Sequence, residues 1–315
     1  MTDERSKLHP RARAFDRVAR AYERGRPGYA AAAVRFVARE LGLRRGRTVV
    51  ELGCGTGKLT RSLRRSGVAR VGVEPLAGMR AVFRSVLPST VVLDGTAERI
   101  PLPNGFADAV VAAQAFQWFR TGPALREIDR VLGPDGRLAL LWNVRLSSTA
   151  ASRAINRLHD RCVRALPRTS ARRQGRGWPG ARAAPAYGFR LRRMRSFPHV
   201  QRASSAAIVQ ATLSESAVGL LPPRARQQVA ATVRAILARH APGRLVRIPY
   251  RTEVYVIERA RRRRSAPTRA RRRTGATRRT PRTSPGSGRL GRRTERRRTT
   301  GRRARAGAPR RPIGR

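Results

Sequence analysis

The run most able to do chemistry is Val50-Glu51-Leu52-Gly53-Cys54-Gly55-Thr56-Gly57-Lys58-Leu59-Thr60. Glycines at alternate positions let a backbone turn sharply and approach a ligand that a Cβ would hold off. Glu74 stands 17 positions after Gly57. An acid at the tip of the following strand can accept hydrogen bonds from both hydroxyls of a ribose. Glu51 occupies the other lip of the loop. The spacing is G-x-G-x-G, with Lys58 where a dinucleotide fingerprint would carry its third glycine, and the gap that a P-loop needs before Gly-Lys-Ser/Thr is missing. Cys54 reads as a small loop filler rather than a nucleophile, since no His or Asn stands nearby in sequence to activate it. It and Cys162 are the chain's two cysteines, and neither has metal-ligand spacing, so no metal site is expected.

Such residues need a scaffold that gathers strand ends. Residues 11–41 read as two helices separated by Arg26, Pro27 and Gly28, with Val34, Val37, Ala38 and Leu41 at helical spacing. A βα alternation follows: strands at 48–52, 71–73, 91–93 and 109–113, a helix opened by Gly57 and another over 77–86. Leu125, Ile128 and Leu132 mark a helix that should end at Gly133-Pro134-Asp135-Gly136, before a fifth strand over 137–142. Continuously apolar strands separated by helices imply a doubly wound α/β domain, its parallel sheet covered on both faces. Beyond it, helices are expected near 149–166, 204–217 and 224–239, with an Arg-rich loop running to about Tyr187. Strand candidates at 192–199 and 250–258 complete the pattern; Val254 and Val256 on one face of the second suit a sheet-edge hairpin partner.

Charge is unevenly distributed along the 315 residues, of which 69 are arginine and two lysine, for a net +53. Residues 259–315 hold 24 arginines against one acid, Glu295, and only Leu290 and Ile313 as large apolar residues. Such a segment cannot bury enough surface to offset chain entropy, so a disordered basic tail is expected after a folded body at 11–258. Its functional reading is non-specific nucleic-acid contact by phosphate neutralisation. The competing reading is the coding bias of a GC-rich genome. No apolar run approaches the roughly 20 residues of a membrane span. No membrane partner is therefore expected, and the cysteine usage points to a reducing, cytoplasmic setting.

Several runs together resemble class I S-adenosylmethionine-dependent methyltransferases of the type 11 group, which includes trans-aconitate-methyltransferase-like proteins. They are Glu51 to Gly57, Val73-Glu74-Pro75, Gly95-Thr96-Ala97-Glu98 before Ile100-Pro101-Leu102-Pro103, Ala113-Gln114-Ala115-Phe116-Gln117-Trp118-Phe119, and Glu127-Ile128 with Arg130-Val131-Leu132 and Gly136. Tyr22 to Tyr29 upstream and Tyr250 to Tyr255 downstream extend the likeness. It implies a Rossmann-like methyltransferase sheet with an N-terminal helical lid and a C-terminal helical insertion, and S-adenosylmethionine (SAM) as cofactor. By the same resemblance Gly53, Gly55 and Gly57 pass under the cofactor, Glu51 meets its amino group, and Glu74 takes the ribose. Thr96, Ala97 and Glu98 lie beside the adenine, Gln114 lies next to the methionine moiety, and Tyr22 and Tyr29 belong to the lid.

The chain also departs from that pattern. Thr96 and Leu146 stand where acids are common, and Gln117 replaces a common histidine. Glutamine cannot serve as a general base. A sulfonium methyl is already electrophilic, so a carboxylate or otherwise pre-ionised small molecule needs no base and becomes the favoured acceptor. Arg26 and Arg145 could pin it, and Trp118 and Phe119 either wall its pocket or pack the core. A nucleic-acid methyltransferase is the alternative that the charge suggests, but Gln114-Ala115-Phe116-Gln117 stands where Asn/Asp-Pro-Pro-aromatic would serve a base nitrogen. A non-enzymatic nucleic-acid-binding protein would want interleaved aromatics that the tail lacks. Lys58 disfavours a dehydrogenase.

Overall fold

The computed structural model describes residues 8–166 and 183–260. Most of the expected tail, 261–315, and most of the expected Arg-rich loop, 167–182, lie outside them.

Seven strands form one sheet in the order β3-β2-β1-β4-β5-β7-β6. Strands β1 (Thr48–Leu52), β2 (Ala69–Val73), β3 (Val91–Leu93), β4 (Ala107–Ala113) and β5 (Leu132–Arg145) run parallel to one another. β7 (Val246–Arg259) is antiparallel to both β5 and β6 (Phe189–Ala203). Alternation along each strand sends side chains to opposite faces. Val50, Leu52, Val110 and Tyr255 enter one apolar cluster, while Val49, Val111, Val254 and Val256 enter the other. Helix α6 (Thr121–Val131) seals the first face with Leu125, Ile128 and Val131. Helix α3 (Ala31–Glu40) seals the second with Ala33, Phe36 and Val37. Helices α4 (Lys58–Ser62) and α5 (Ala77–Val86) make the first two crossovers.

A third cluster belongs to the insertion. Helix α7 (Ala150–Arg164) starts at a capping box in which Thr149 and Ser152 satisfy each other's backbone, and buries Ile155, Leu158 and Cys162. These meet α8 (Ser205–Leu213), α9 (Ser216–Gly219) and α10 (Pro223–His240), whose Val229, Val233 and Leu237 share a face. At the N-terminus α1 (Pro10–Arg17) and α2 (Ala19–Gly25) are separate, because the chain leaves helical geometry at Val18. No helix of the described residues is long and apolar enough to cross a membrane.

Four expectations need correction. β5 starts at Leu132 rather than 137, because Leu132 pairs with Ala107 ahead of an irregularity that absorbs the Gly-Pro-Asp-Gly turn. β7 is no edge strand: β6 takes the edge, and residues 252–257 of β7 are buried on both faces. The helix expected over 204–217 breaks at Ser214 and Glu215, which places Glu215 between α8 and α9. Arg259 ends β7 instead of opening the tail. It pairs with Asp129 at 2.5 Å and donates to the carbonyls of Asp129, Leu132, Gly133 and Pro134, capping the exposed turn at the start of β5.

Candidate active site

The glycine loop joins β1 to α4 at the carboxyl ends of the parallel strands, where open α/β sheets bind ligands. Its glycines all have positive φ, +62° at Gly53, +55° at Gly55 and +82° at Gly57, but their surroundings differ. A Cβ at Gly53 would stand 2.7 Å from Ala115 Cβ, and one at Gly57 would stand 2.6 Å from Leu87 Cδ1. At Gly55 the nearest atom would be Met79 Sδ at 4.0 Å. Two glycines therefore let the loop pack, and Gly55 opens it toward a cleft of about 100 Å³.

Glu74, Thr96, Ala97, Glu98, Gln114, Gly53, Gly55 and Tyr22 line that cleft, so the structure brings most of the expected cofactor residues together. Each Glu74 oxygen accepts one backbone N–H, from Gly55 at 2.9 Å and from Leu76 at 3.0 Å. A carboxylate oxygen has a second lone pair, so both can still receive a hydroxyl. Thr96 Oγ1 is buried and has no hydrogen-bond partner, which leaves one polar contact for a ligand to make. Glu98 accepts Arg120 N–H at 2.6 Å. Gln114 is the one non-glycine among the described residues with positive φ, +57°, a strained geometry of the kind stored at functional sites. Its Nε2 donates to Asn143 O at 3.1 Å, and its own carbonyl accepts Gln117 Nε2 at 2.8 Å.

Glu51, Gly57 and Tyr29 are not brought to this lining. Glu51 is buried and accepts a hydrogen bond from Thr60 Oγ1, while Tyr29 packs on the apolar cluster beneath α3. Burial pushes Glu51 up to about 8, against the Thr60 hydrogen bond. Burial likewise raises Glu74 to about 7, against the Gly55 and Leu76 N–H groups. Between the ordinary carboxyl range and these raised values both groups hold protons in the fold that they release in the unfolded chain, so stability falls as pH rises through this window, and above about pH 7 Glu74 is the carboxylate. Thermal midpoints measured from about pH 5 to pH 8 should decline, and Glu51→Gln should flatten the upper part of that slope.

The lid comes from α1 and α2. Leu8, Ala12, Phe15 and Tyr22 rest over the cleft. Glu23 ties α2 to the glycine loop: its carboxylate accepts Thr56 Oγ1 at 2.5 Å and Arg61 at 3.0 Å, and its carbonyl accepts Lys58 Nζ at 2.7 Å. Lys58, the residue that breaks the dinucleotide fingerprint, is thus half of a lid latch.

A second cavity of about 300 Å³ shares Phe15, Tyr22, Gln114 and Trp118 with the cleft. Arg26, Gln117, Trp118 and Arg145, four of the expected substrate residues, line it. Arg26 Nε and Nη2 donate to Ser214 Oγ at 3.0 Å and to Ser214 O at 3.2 Å, both neutral partners. Arg145 is committed elsewhere, to Glu215 at 3.1 Å and Asn156 Oδ1 at 2.6 Å. Gln117 spends its amide on Gln114 O and on Trp142 Nε1–H, at 2.9 Å for the latter. Phe119 is buried in the core cluster and lines only the cleft. The sequence reading missed Phe15, Trp142, His159 and Glu215. Only the chain's small number of histidines, four, could have drawn attention to His159.

The sheet order and the glycine-loop cleft define a class I methyltransferase fold. Residues 50–140 match the family model described as a methyltransferase domain. An uncharacterised methyltransferase-like protein of Schizosaccharomyces pombe is 31% identical over 178 residues, 56% of this chain and 67% of that one. An uncharacterised methyltransferase of Mycobacterium tuberculosis is 47% identical over 125 residues, 40% of this chain and 50% of that one. The chain thus spans about half the length of its mycobacterial relatives. A solved structure from Anaeromyxobacter dehalogenans, provisionally assigned as a type II methyltransferase, superposes with a TM-score of 0.56 at 22% identity, over 75% of this chain and 98% of that one. This chain belongs to the methyltransferases, with residues 50–140 matching the type 11 family model.

Proposed function

We propose that the protein transfers the methyl group of SAM to a small molecule that carries a carboxylate. The observation that carries this reading is the pair of cavities with one common wall. The residues of the cleft fit the cofactor: Glu74 would accept the ribose hydroxyls, Thr96 Oγ1 would meet the adenine, and Gly55 would let the chain approach. SAM supplies an electrophilic methyl, so the protein's task is alignment and exclusion of water. Gln114, held rigid at the common wall, and Tyr22 and Phe15 above it would set the line between donor and acceptor. Arg26, whose hydrogen-bond partners are neutral, is placed to receive the carboxylate.

Calorimetry with SAM and with NADH tests the first half: SAM should bind and NADH should not. Incubation with SAM and a panel of metabolite acids, with the added methyl detected by mass, tests the second. The cleft is smaller than the roughly 300–1,000 Å³ of ordinary ligand sites, so the lid must lift to admit SAM. Glu23→Ala, which removes the carboxylate that accepts from Thr56 and Arg61, should therefore speed SAM release at least about tenfold in stopped-flow chase experiments.

A further inference from the structure

We propose that His159, oriented by Glu215, is the general base of the acceptor cavity, and that the group it deprotonates is an aromatic hydroxyl. The inference rests on the methyl-transfer reading and names the atom that is methylated. Asn156 and His159 sit at i and i+3 on α7 and both line the cavity. The imidazole Nδ1 lies 3.1 Å from Glu215 Oε2, an electrostatic contact rather than a formed hydrogen bond, since Oε2 has no hydrogen-bond partner. A carboxylate there favours the tautomer with its proton on Nδ1, leaving the lone pair on Nε2. Nε2 is buried and has no hydrogen-bond partner. An unmatched buried nitrogen is uncommon, and a ligand O–H would satisfy it. Glu215 itself is anchored by Arg145 through Oε1, which leaves Oε2 facing His159. Burial works against its ionisation, but Arg145, His159 and Arg26 outweigh it and hold the carboxyl below its usual range.

Charged and titratable groups reach this pair from every side: Arg145 on β5, Tyr250 and Glu253 on β7, Arg26 after α2, Arg11 on α1 and Cys162 on α7. Glu253 is already engaged by Arg251 at 2.8 Å. Since Arg145 alone would neutralise Glu215, a histidine is not required for charge balance. Gln117 cannot be the base, and its amide is occupied. The cavity walls favour a flat ring: Phe15, Tyr22, Trp118, Trp142 and Tyr250 supply aromatic surface around a volume of about 300 Å³. A carboxylate on that ring would be the anchor held by Arg26, and the hydroxyl would be the acceptor.

In the proposed step Nε2 takes the hydroxyl proton, and the O–H electron pair stays on oxygen. That oxygen forms the bond to the methyl carbon as the S–CH₃ bond breaks, its electrons passing to sulfur. The positive charge leaves the sulfonium and ends on the imidazolium beside Glu215. Nothing is oxidised or reduced.

The test uses the full chain with S-adenosylhomocysteine and 4-nitrophenol, whose ionised form absorbs visible light. Bound 4-nitrophenol should ionise at least one pH unit below the unbound compound. His159→Asn should remove most of that shift, and Glu215→Gln part of it, while S-adenosylhomocysteine binding by calorimetry stays unchanged. If His159→Asn does not fold, His159→Gln replaces it. With SAM and 4-hydroxybenzoate, the product should be a base-stable ether, formed about 10²–10⁴-fold more slowly by His159→Asn. A base-labile ester, no binding of 4-nitrophenol, no turnover of 4-hydroxybenzoate, or a shift that survives His159→Asn overturns the proposal. Failure of wild-type protein to bind SAM would instead overturn the methyl-transfer reading beneath it.

Discussion

Gly55→Val should lower the affinity for SAM by about 100-fold or more, roughly 2.7 kcal/mol, in a protein that still folds. The added Cβ meets no protein atom closer than Met79 Sδ at 4.0 Å, so the valine methyls enter the space that a ligand would use. The fold bears only the cost of a β-branched residue at φ +55°, about 1–3 kcal/mol. For a folded body of this size that lowers the melting temperature by several degrees. Gly57→Val is the informative contrast. Its Cβ would lie 2.6 Å from Leu87 Cδ1 and 2.9 Å from the Phe83 ring, so it should reduce folded protein rather than affinity alone. Calorimetry of both variants, paired with thermal melts, separates the two effects. Unaltered SAM affinity in Gly55→Val would show that the cofactor does not pass over this loop.

The parts legible from sequence are those in which neighbouring residues determine the answer. The glycine loop, Glu74 and Thr96 to Glu98 all sit at or just beyond the carboxyl end of a strand, so locating β1 to β4 also located their ends. Periodicity found α6 and α10 because each buries one stripe. It could not show the break between α8 and α9, since Ser214 and Glu215 are compatible with either a helix or a turn. That break decides the acceptor site: it brings Glu215 to Arg145 and His159, on elements with no sequence signal of their proximity. Glu51 illustrates the opposite limit. Its position beside the loop was correct, but the hydroxyl of Thr60, one turn into α4, takes its carboxyl away from the cleft lining. A spacing argument places a backbone; which neighbour captures the side chain is decided by packing.

Arg145→Ala tests the other end of the site and should be the most destabilising single change among the polar residues of the cavity. Arg145 and Glu215 are about 10% and 7% exposed and pair at 3.1 Å. Removing one partner of a buried ion pair leaves an uncompensated charge, which costs about 3–5 kcal/mol. The double change Arg145→Met with Glu215→Gln removes both charges and should recover most of the stability, because the methionine refills the volume and no buried charge is left unpaired. Denaturant titrations of wild type, Arg145→Met, Glu215→Gln and the double variant form a cycle whose coupling term isolates the pair. Stability restored by the second change but no methyl transfer would separate the two duties of Glu215, holding the insertion against β5 and orienting His159. Stability unaffected by Arg145→Ala would mean that water reaches Glu215, and with it the acceptor cavity would lose the dry environment that methyl transfer needs.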